Sequence, residues 1–445
     1  MKMTAREAGL LATLCFLVLM GVSNAVLFNV ALPSIVAELQ LTTTKASLII
    51  TCYTCIISIG ALTYSKLSEH IQIRTLFLTG ISLLVGGSIL GYLTHHYLLL
   101  IAARVIQAGG GSCFVPLSMI TVSHYLRPAH RKLGLTLISS MMTLGSGTGF
   151  LLGGVMTSFF GWHSLFLFMV LIALGFLGIY AFMPGDYLRE DPNRQPFDIP
   201  GAAMVMLMVV SFLLAISLNL WLFFITIIMI VLMKRYARKD VKSPFADIHI
   251  LKLKPFQRLL AATSLNSASI VAVLYLFPLL LTHTYSISPV QIGLILFATA
   301  FFNVGTNLMA GRLLLIWTPT RLISIFSLAA IAGFVLMAQG AHTSLPLLVA
   351  ALACIYIGNC AVQIGLNHSV PRTVPAASGA AGFGLFNLIN FIGMAAGPAL
   401  SSRMLSLNSP YWAIFLVFAA VVTLIPMIIR TDEPAATASE ITVPR

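Results

Sequence analysis

Arg104 is the residue whose type and place most demand a role. It stands inside a long apolar run, with Gln107 three residues further on and so on the same helical face. A guanidinium within a membrane span is costly and marks a binding or coupling function by default. A competing reading puts it near the membrane edge, its stem along apolar surface and its head among the lipid headgroups. Other apolar runs carry polar side chains that stay uncharged near neutral pH: Asn24, Asn29, Tyr53, Asn266, Tyr275, Gln363, Asn367, Asn387 and Asn390. With Arg104 and Gln107 they are the candidates to line a cavity. None of the 12 acidic residues falls in the middle of an apolar run. Groups able to hold and release a proton are therefore sought near the run ends. They are Glu38, Glu69 and His368, the last with an imidazole suited to ambient pH.

The elements that position these groups follow from composition. Of 445 residues, 59% are hydrophobic and 8% charged, against about 25% charged in soluble domains. One soluble core cannot hide that much apolar surface. A soluble enzyme, a disordered chain and a single-anchor receptor are excluded, and an all-α polytopic membrane protein remains. A transmembrane barrel would show short alternating segments instead of runs of about 20 apolar residues. The net charge of +13 reads as cytoplasmic Lys and Arg rather than a nucleic-acid surface.

Helices are predicted at 9–31, 45–65, 74–94, 97–121, 134–157 and 162–183, then a close pair at 201–217 and 219–233. Six more follow at 259–282, 289–311, 321–341, 344–367, 377–401 and 410–429. That makes fourteen. If 201–233 is a re-entrant or interfacial hairpin, the count is twelve. With the N-terminus inside, nearly all Lys and Arg fall on one side, including the run from Lys234 to Arg258. Only Lys45 and Arg403 fall on the other. An even number of crossings with both ends cytoplasmic is expected, and the first apolar run is expected to be retained as a span. The predicted layout is an N-terminal six-helix bundle (1–183), a linker with two additional helices and a basic segment (184–258), a C-terminal six-helix bundle (259–430) and a tail (431–445). Pseudo-symmetric halves around a central site are the plan of a secondary transporter.

Four local patterns sharpen this. Ser65-Lys-Leu-Ser-Glu-His-Ile-Gln-Ile-Arg74 lies between the second and third spans, Ala103-Arg-Val-Ile-Gln-Ala-Gly-Gly-Gly111 in the fourth, and Gly145-Ser-Gly-Thr-Gly-Phe-Leu-Leu-Gly-Gly154 in the fifth. Ser23-Asn-Ala-Val-Leu-Phe-Asn-Val-Ala-Leu-Pro33 lies in the first. Together they resemble the signatures of the major facilitator superfamily, in particular its fourteen-helix drug:proton antiporter branch, which contains the EmrB/QacA multidrug exporters and the Gram-positive tetracycline exporters. The resemblance covers essentially the whole chain. Glu69 stands at the acidic position and Arg74 at a basic position of the first pattern, while Ser65 and Gln72 replace its two glycines. Phe150 replaces the proline of the third, and Asn24 falls where many multidrug members carry Asp.

The resemblance implies two pseudo-symmetric six-helix bundles with a two-helix insert. It also implies export by alternating access of a small amphipathic compound or drug, in exchange for protons, across a bacterial cytoplasmic membrane. It gives Arg104 a part in proton transfer or substrate coupling. It gives Glu69, Arg74, Gly145, Gly149, Gly153 and Gly154 a part in gating. The acid-poor cavity opens an alternative: an anionic, zwitterionic or metal-chelating metabolite such as a siderophore, exported without proton coupling. The expected partners are a small-molecule substrate, a coupling ion and membrane lipid, with no nucleic acid and a monomeric state. No enzyme site, cofactor or metal motif is read. Cys52 and Cys55 share a helix face without a ligand cluster nearby, His95 and His96 read as a polar outer turn, and His163 as an interfacial group.

Overall fold

The computed structural model describes residues 3–183, 198–217, 219, 221–236, 248–341, 343–375 and 379–430. The acids and bases at Asp186–Arg194 and Arg238–Asp247, and the 431–445 tail, lie outside the described residues. Among those described the chain is helical, with no strand. The N-terminal helices are α1 (Ala5–Leu39), α2 (Thr43–Leu67), α3 (Ile73–Leu93), α4 (Tyr97–Gly111), α5 (Phe114–Tyr125), α6 (Pro128–Phe160), α7 (His163–Met169) and α8 (Leu174–Phe182). The insert holds α9 (Ile199–Ser217) and α10 (Leu222–Tyr236). The C-terminal helices are α11 (Lys254–Tyr285), α12 (Pro289–Leu313), α13 (Pro319–Gly340), α14 (Leu345–Thr373), α15 (Gly379–Ser406) and α16 (Tyr411–Arg430).

The boundaries obey local chemistry. Thr4 and Glu7 form a reciprocal capping box at α1, and Ser288 and Gln291 another at α12. Proline opens α6, α12 and α13, where its missing N–H is harmless. The fourth predicted span is two helices, broken at Ser112–Cys113. Pro116 lies four residues beyond Ser112, so no N–H reaches the Ser112 carbonyl. The sixth span is likewise α7 and α8 joined through a tightened turn at Val170–Ala173.

Among the described residues, thirteen helical segments are long and apolar enough to cross a membrane. The remaining predicted span, 219–233, corresponds to α10, whose 15 described residues extend about 22 Å, short of a hydrocarbon core of about 30 Å. The hairpin still returns to its starting face. The Tyr236 hydroxyl at the end of α10 donates to Asp198, beside the start of α9, at 2.6 Å. The two halves therefore run parallel to one another.

Their internal packing repeats. A Cβ on Gly87 of α3 would stand 2.8 Å from the Ala103 oxygen and the Gln107 nitrogen of α4; on Gly333 of α13 it would stand 2.8 Å from the Ala351 oxygen and the Ile355 nitrogen of α14. Likewise α6 lies against α1 through Gly145, Gly149 and Gly153, and α15 against α11 through Gly393 and Gly397. Small residues let helix backbones touch where no hydrophobic force drives them together. Between the halves, α6 packs on α12, and α2 on α15.

Candidate functional site

Four N-terminal helices converge on Arg104. Arg104 is 1% exposed, so its side chain lies inside the bundle and does not reach the outer surface. It is sandwiched between the Phe28 ring of α1 and the Tyr53 ring of α2, with Cζ 4.0 and 3.9 Å from their centroids. Such contacts are worth about 2 kcal/mol when desolvated. One terminal nitrogen donates to Gln107 at 2.9 Å and to Asn24 at 3.3 Å. Gln107 donates on to Ser88 of α3 at 2.8 Å, and Asn24 to the Tyr53 hydroxyl at 3.2 Å. Every partner is neutral, and Arg104 Nε finds no acceptor among the described residues. The network carries a net positive charge in a dry setting. Asn29, the residue after Phe28, is also buried, and its side-chain oxygen is unpartnered among the described residues.

The C-terminal half holds a different cluster. Asn266 of α11 donates to the Gln363 oxygen at 3.0 Å and to the Asn359 backbone oxygen at 3.3 Å; Asn359 returns a bond to the Asn266 carbonyl at 2.8 Å. Gln363 donates to Thr263 at 3.3 Å and to Asn367 at 3.4 Å. Asn390 of α15 accepts from Thr263 and from Ser267. The residues 359, 363 and 367 form an i, i+4 ladder along one face of α14.

That face borders a cavity of about 330 Å³ that reaches across both halves, within the size range of small-ligand sites. Met142, Thr143 and Ser146 of α6 line it from one side. Ile270, Ala300, Asn303, Asn307, Tyr356, Asn359, Gln363 and Asn367 line it from the other, with Cys360 and Ile364. No carboxylate, Lys, Arg or His is in the lining. The Asn303 side-chain oxygen and the Tyr356 hydroxyl are buried without a hydrogen-bond partner among the described residues. Unpaired buried polar atoms are costly, and both residues belong to the cavity lining.

The cavity is closed on the distal face, opposite the described chain ends. There the Tyr275 hydroxyl of α11 donates to the Thr43 carbonyl of α2 at 2.8 Å, and Ser47 of α2 donates to Ser402 of α15 at 2.8 Å. A Cβ on Gly154 of α6 would collide with the Pro289 carbonyl oxygen of α12.

The residues singled out in sequence therefore divide. Asn24, Tyr53, Arg104 and Gln107 form one buried network outside the cavity lining. Asn266, Gln363, Asn367 and Asn390 belong to the cavity cluster, and Tyr275 to the distal seal. Asn387 and His368 are exposed and outside the lining. Glu69 is exposed with no side-chain partner among the described residues, and Arg74 stacks on Tyr180 with Cζ 4.3 Å from the ring. The ion pair on this face joins Glu7 to Arg127 at 2.6 Å. The hydrogen bonds that Arg127 donates to the Glu7 carboxylate raise its pKa above the ordinary value. Gly145, Gly149 and Gly153 hold α6 on α1, while Gly154 alone of the four meets the other half. Sequence reasoning missed Asn303, Asn307, Asn359 and Tyr356. The i, i+4 spacing of the amides in each helix was the available signal.

The family profile of the Major Facilitator Superfamily matches residues 11–239 and 259–444. Among similar sequences, the uncharacterized MFS-type transporter YvkA of Bacillus subtilis is 24% identical, over 97% of this chain and 98% of its own length. The riboflavin transporter RibZ of Clostridioides difficile is 25% identical, over 90% and 89%. The cephamycin export protein CmcT of Amycolatopsis lactamdurans is 32% identical over 45% of this chain and 41% of its own. Among solved structures, the human organic anion transporter MFSD10 superposes with a TM-score of 0.63 at 16% identity, covering 94% of this chain and 99% of that one. A POT family transporter in complex with a thioalcohol-conjugated peptide gives 0.69 at 17% identity, covering 95% of both.

Proposed function

The chain belongs to the Major Facilitator Superfamily, and from that premise we propose that it exports a small amphipathic compound by alternating access. The supporting observation is the amide-lined cavity between the halves, with its two unpartnered polar atoms and no charged side chain. Carboxamides both donate and accept. They suit a substrate rich in hydrogen-bonding edges and without a fixed positive charge, with Met142, Ile270 and Ile364 against its apolar parts. The multidrug, cephamycin and riboflavin names among the relatives span compounds of this kind, and two of them name export or resistance.

In this reading the membrane is the bacterial cytoplasmic one and both chain ends are cytoplasmic. The cavity loads while the distal seal is shut, and release requires Tyr275–Thr43, Ser47–Ser402 and the Gly154 contact to part. Arg104 then acts as a fixed charge that stiffens the N-terminal bundle and biases its packing, without touching substrate in this state. Exchange for protons is part of the proposal, the carrier being Glu38, Glu69 or His368 near the span ends. A second reading is favoured by the lining itself: with no acid in the cavity, a neutral, zwitterionic or anionic compound leaves without a proton.

Internal pH of proteoliposomes, followed during addition of cationic, zwitterionic and anionic compounds, separates these readings. A saturable pH change specific to one compound class supports proton exchange. Isotope flux without a pH change supports the second reading. Absence of both with folded protein would sink the transport proposal.

A further inference from the structure

We propose that Glu38, His95 and His163 form a binding site for a divalent transition-metal ion, zinc(II) by preference, on the distal rim of the N-terminal bundle. The three residues come from separate segments: the last turn of α1, the turn between α3 and α4, and the first residue of α7. One ligand atom from each lies within 4.8 Å of the others. The His95 and His163 ring centroids are 4.8 Å apart.

The groups around them resemble an outer coordination shell. The Trp162 indole donates to one Glu38 oxygen at 2.7 Å, which orients the carboxylate and leaves its second oxygen for an ion. The same indole stacks on the His163 ring at 3.6 Å. His163 Nε2 lies 3.2 Å from the Thr94 carbonyl. A carbonyl only accepts, so Nε2 carries the proton and the neutral ring keeps its lone pair on Nδ1. A ligating histidine commonly has its other nitrogen fixed in this way. Trp162 is itself buried, so this support is rigid, while Glu38 and His95 are exposed and open to an arriving ion.

Two imidazoles and one carboxylate suit zinc better than magnesium or calcium, which prefer all-oxygen shells. Bond lengths of about 2.0–2.2 Å put tetrahedral donors about 3.4 Å apart. From separations of up to 4.8 Å the cluster must contract by up to about 1.4 Å, within reach of side-chain rotation at exposed Glu38 and His95. The fourth position falls to water. All three ligands belong to one half, so the ion would brace the rim of that half without bridging the distal seal. The site is independent of the cavity; an ion held by Glu38 would leave Glu69 and His368 as the proton carriers.

The test is zinc titration into the full chain, purified in detergent with affinity-tag histidines removed, and cobalt(II) as a spectroscopic substitute. One equivalent is expected to bind, with the visible absorption of tetrahedral cobalt. His95→Ala and Glu38→Gln should each weaken binding at least tenfold, and His96→Ala should leave it unchanged. His163→Ala removes a ring stacked on Trp162 and can disturb folding, so the exposed His95 carries the decision. No binding, equal affinity in His95→Ala, or an equal loss in His96→Ala would overturn the assignment.

Discussion

The two halves share a backbone plan and differ in chemistry. Gly87 meets Ala103 and Gln107 where Gly333 meets Ala351 and Ile355, so the register sets Leu352 of α14 where Arg104 stands in α4. Leu352 is fully buried, as Arg104 nearly is. The N-terminal half thus spends that position on a charge clasped by two rings and two amides. The C-terminal half fills it with hydrocarbon and moves its polar groups one to four turns on, to the cavity wall. Equivalent helix packing does not dictate equivalent polarity. The N-terminal half carries a buried charge, and the C-terminal half places its amides along the cavity.

Breaking the clasp gives the largest expected effect. Arg104→Ala should cut flux in proteoliposomes by roughly a hundredfold while the protein still elutes as a single folded species. That corresponds to about 2.8 kcal/mol at tenfold per 1.4 kcal/mol, and normal flux would remove any role for the charge. Arg104→Lys should rescue little, because an ammonium cannot stack between both rings and bridge two amides at once. Next comes Gly154→Val, which puts a branched side chain against the Pro289 carbonyl. Overpacking of this kind costs about 1–3 kcal/mol and should open the distal face. The reading is faster labelling of a cysteine at Ser402 in a chain whose own cysteines have been replaced.

Asn303→Leu fills the cavity and removes an unpartnered acceptor. It should weaken substrate binding about tenfold, in line with about 1–3 kcal/mol per buried polar group. A pair of acids then sharpens the contrast between the halves. Asn367→Asp puts a carboxylate in the lining and should improve handling of cationic compounds severalfold. Asn24→Asp puts one beside Arg104, where an ion pair neutralises it, and should leave cation transport where it was. Asn24 is the position where the resemblance puts the Asp of many multidrug members. The smallest effect belongs to Glu7→Gln, which breaks a partly exposed ion pair with Arg127 and should barely move the thermal midpoint.

The fold was legible because membrane burial imposes long apolar runs and charge asymmetry. The predicted spans agree with the observed helices except at α10, which is short, and within the fourth and sixth spans. There Pro116 and a tightened turn at Val170–Ala173 act below the resolution of hydropathy. The site was half legible. Arg104, Asn24 and Gln107 stood out because polar groups are rare in apolar runs. Their separation from the cavity did not, since it depends on which helix face turns toward which half. Asn303, Asn359 and Tyr356 went unnoticed because a single amide or phenol in a helix looks alike whether it meets lipid, a neighbouring helix or a ligand. The meeting of Glu38, His95 and His163 required three turns distant in sequence to be brought to one rim.

The distal seal is made of hydroxyls, carbonyls and glycine backbone, with no carboxylate, Lys, Arg or His in the described contacts that join the halves there. Counter-ions screen charges and leave short dipolar contacts nearly untouched. The closed form should therefore persist through wide swings in external salinity and acidity.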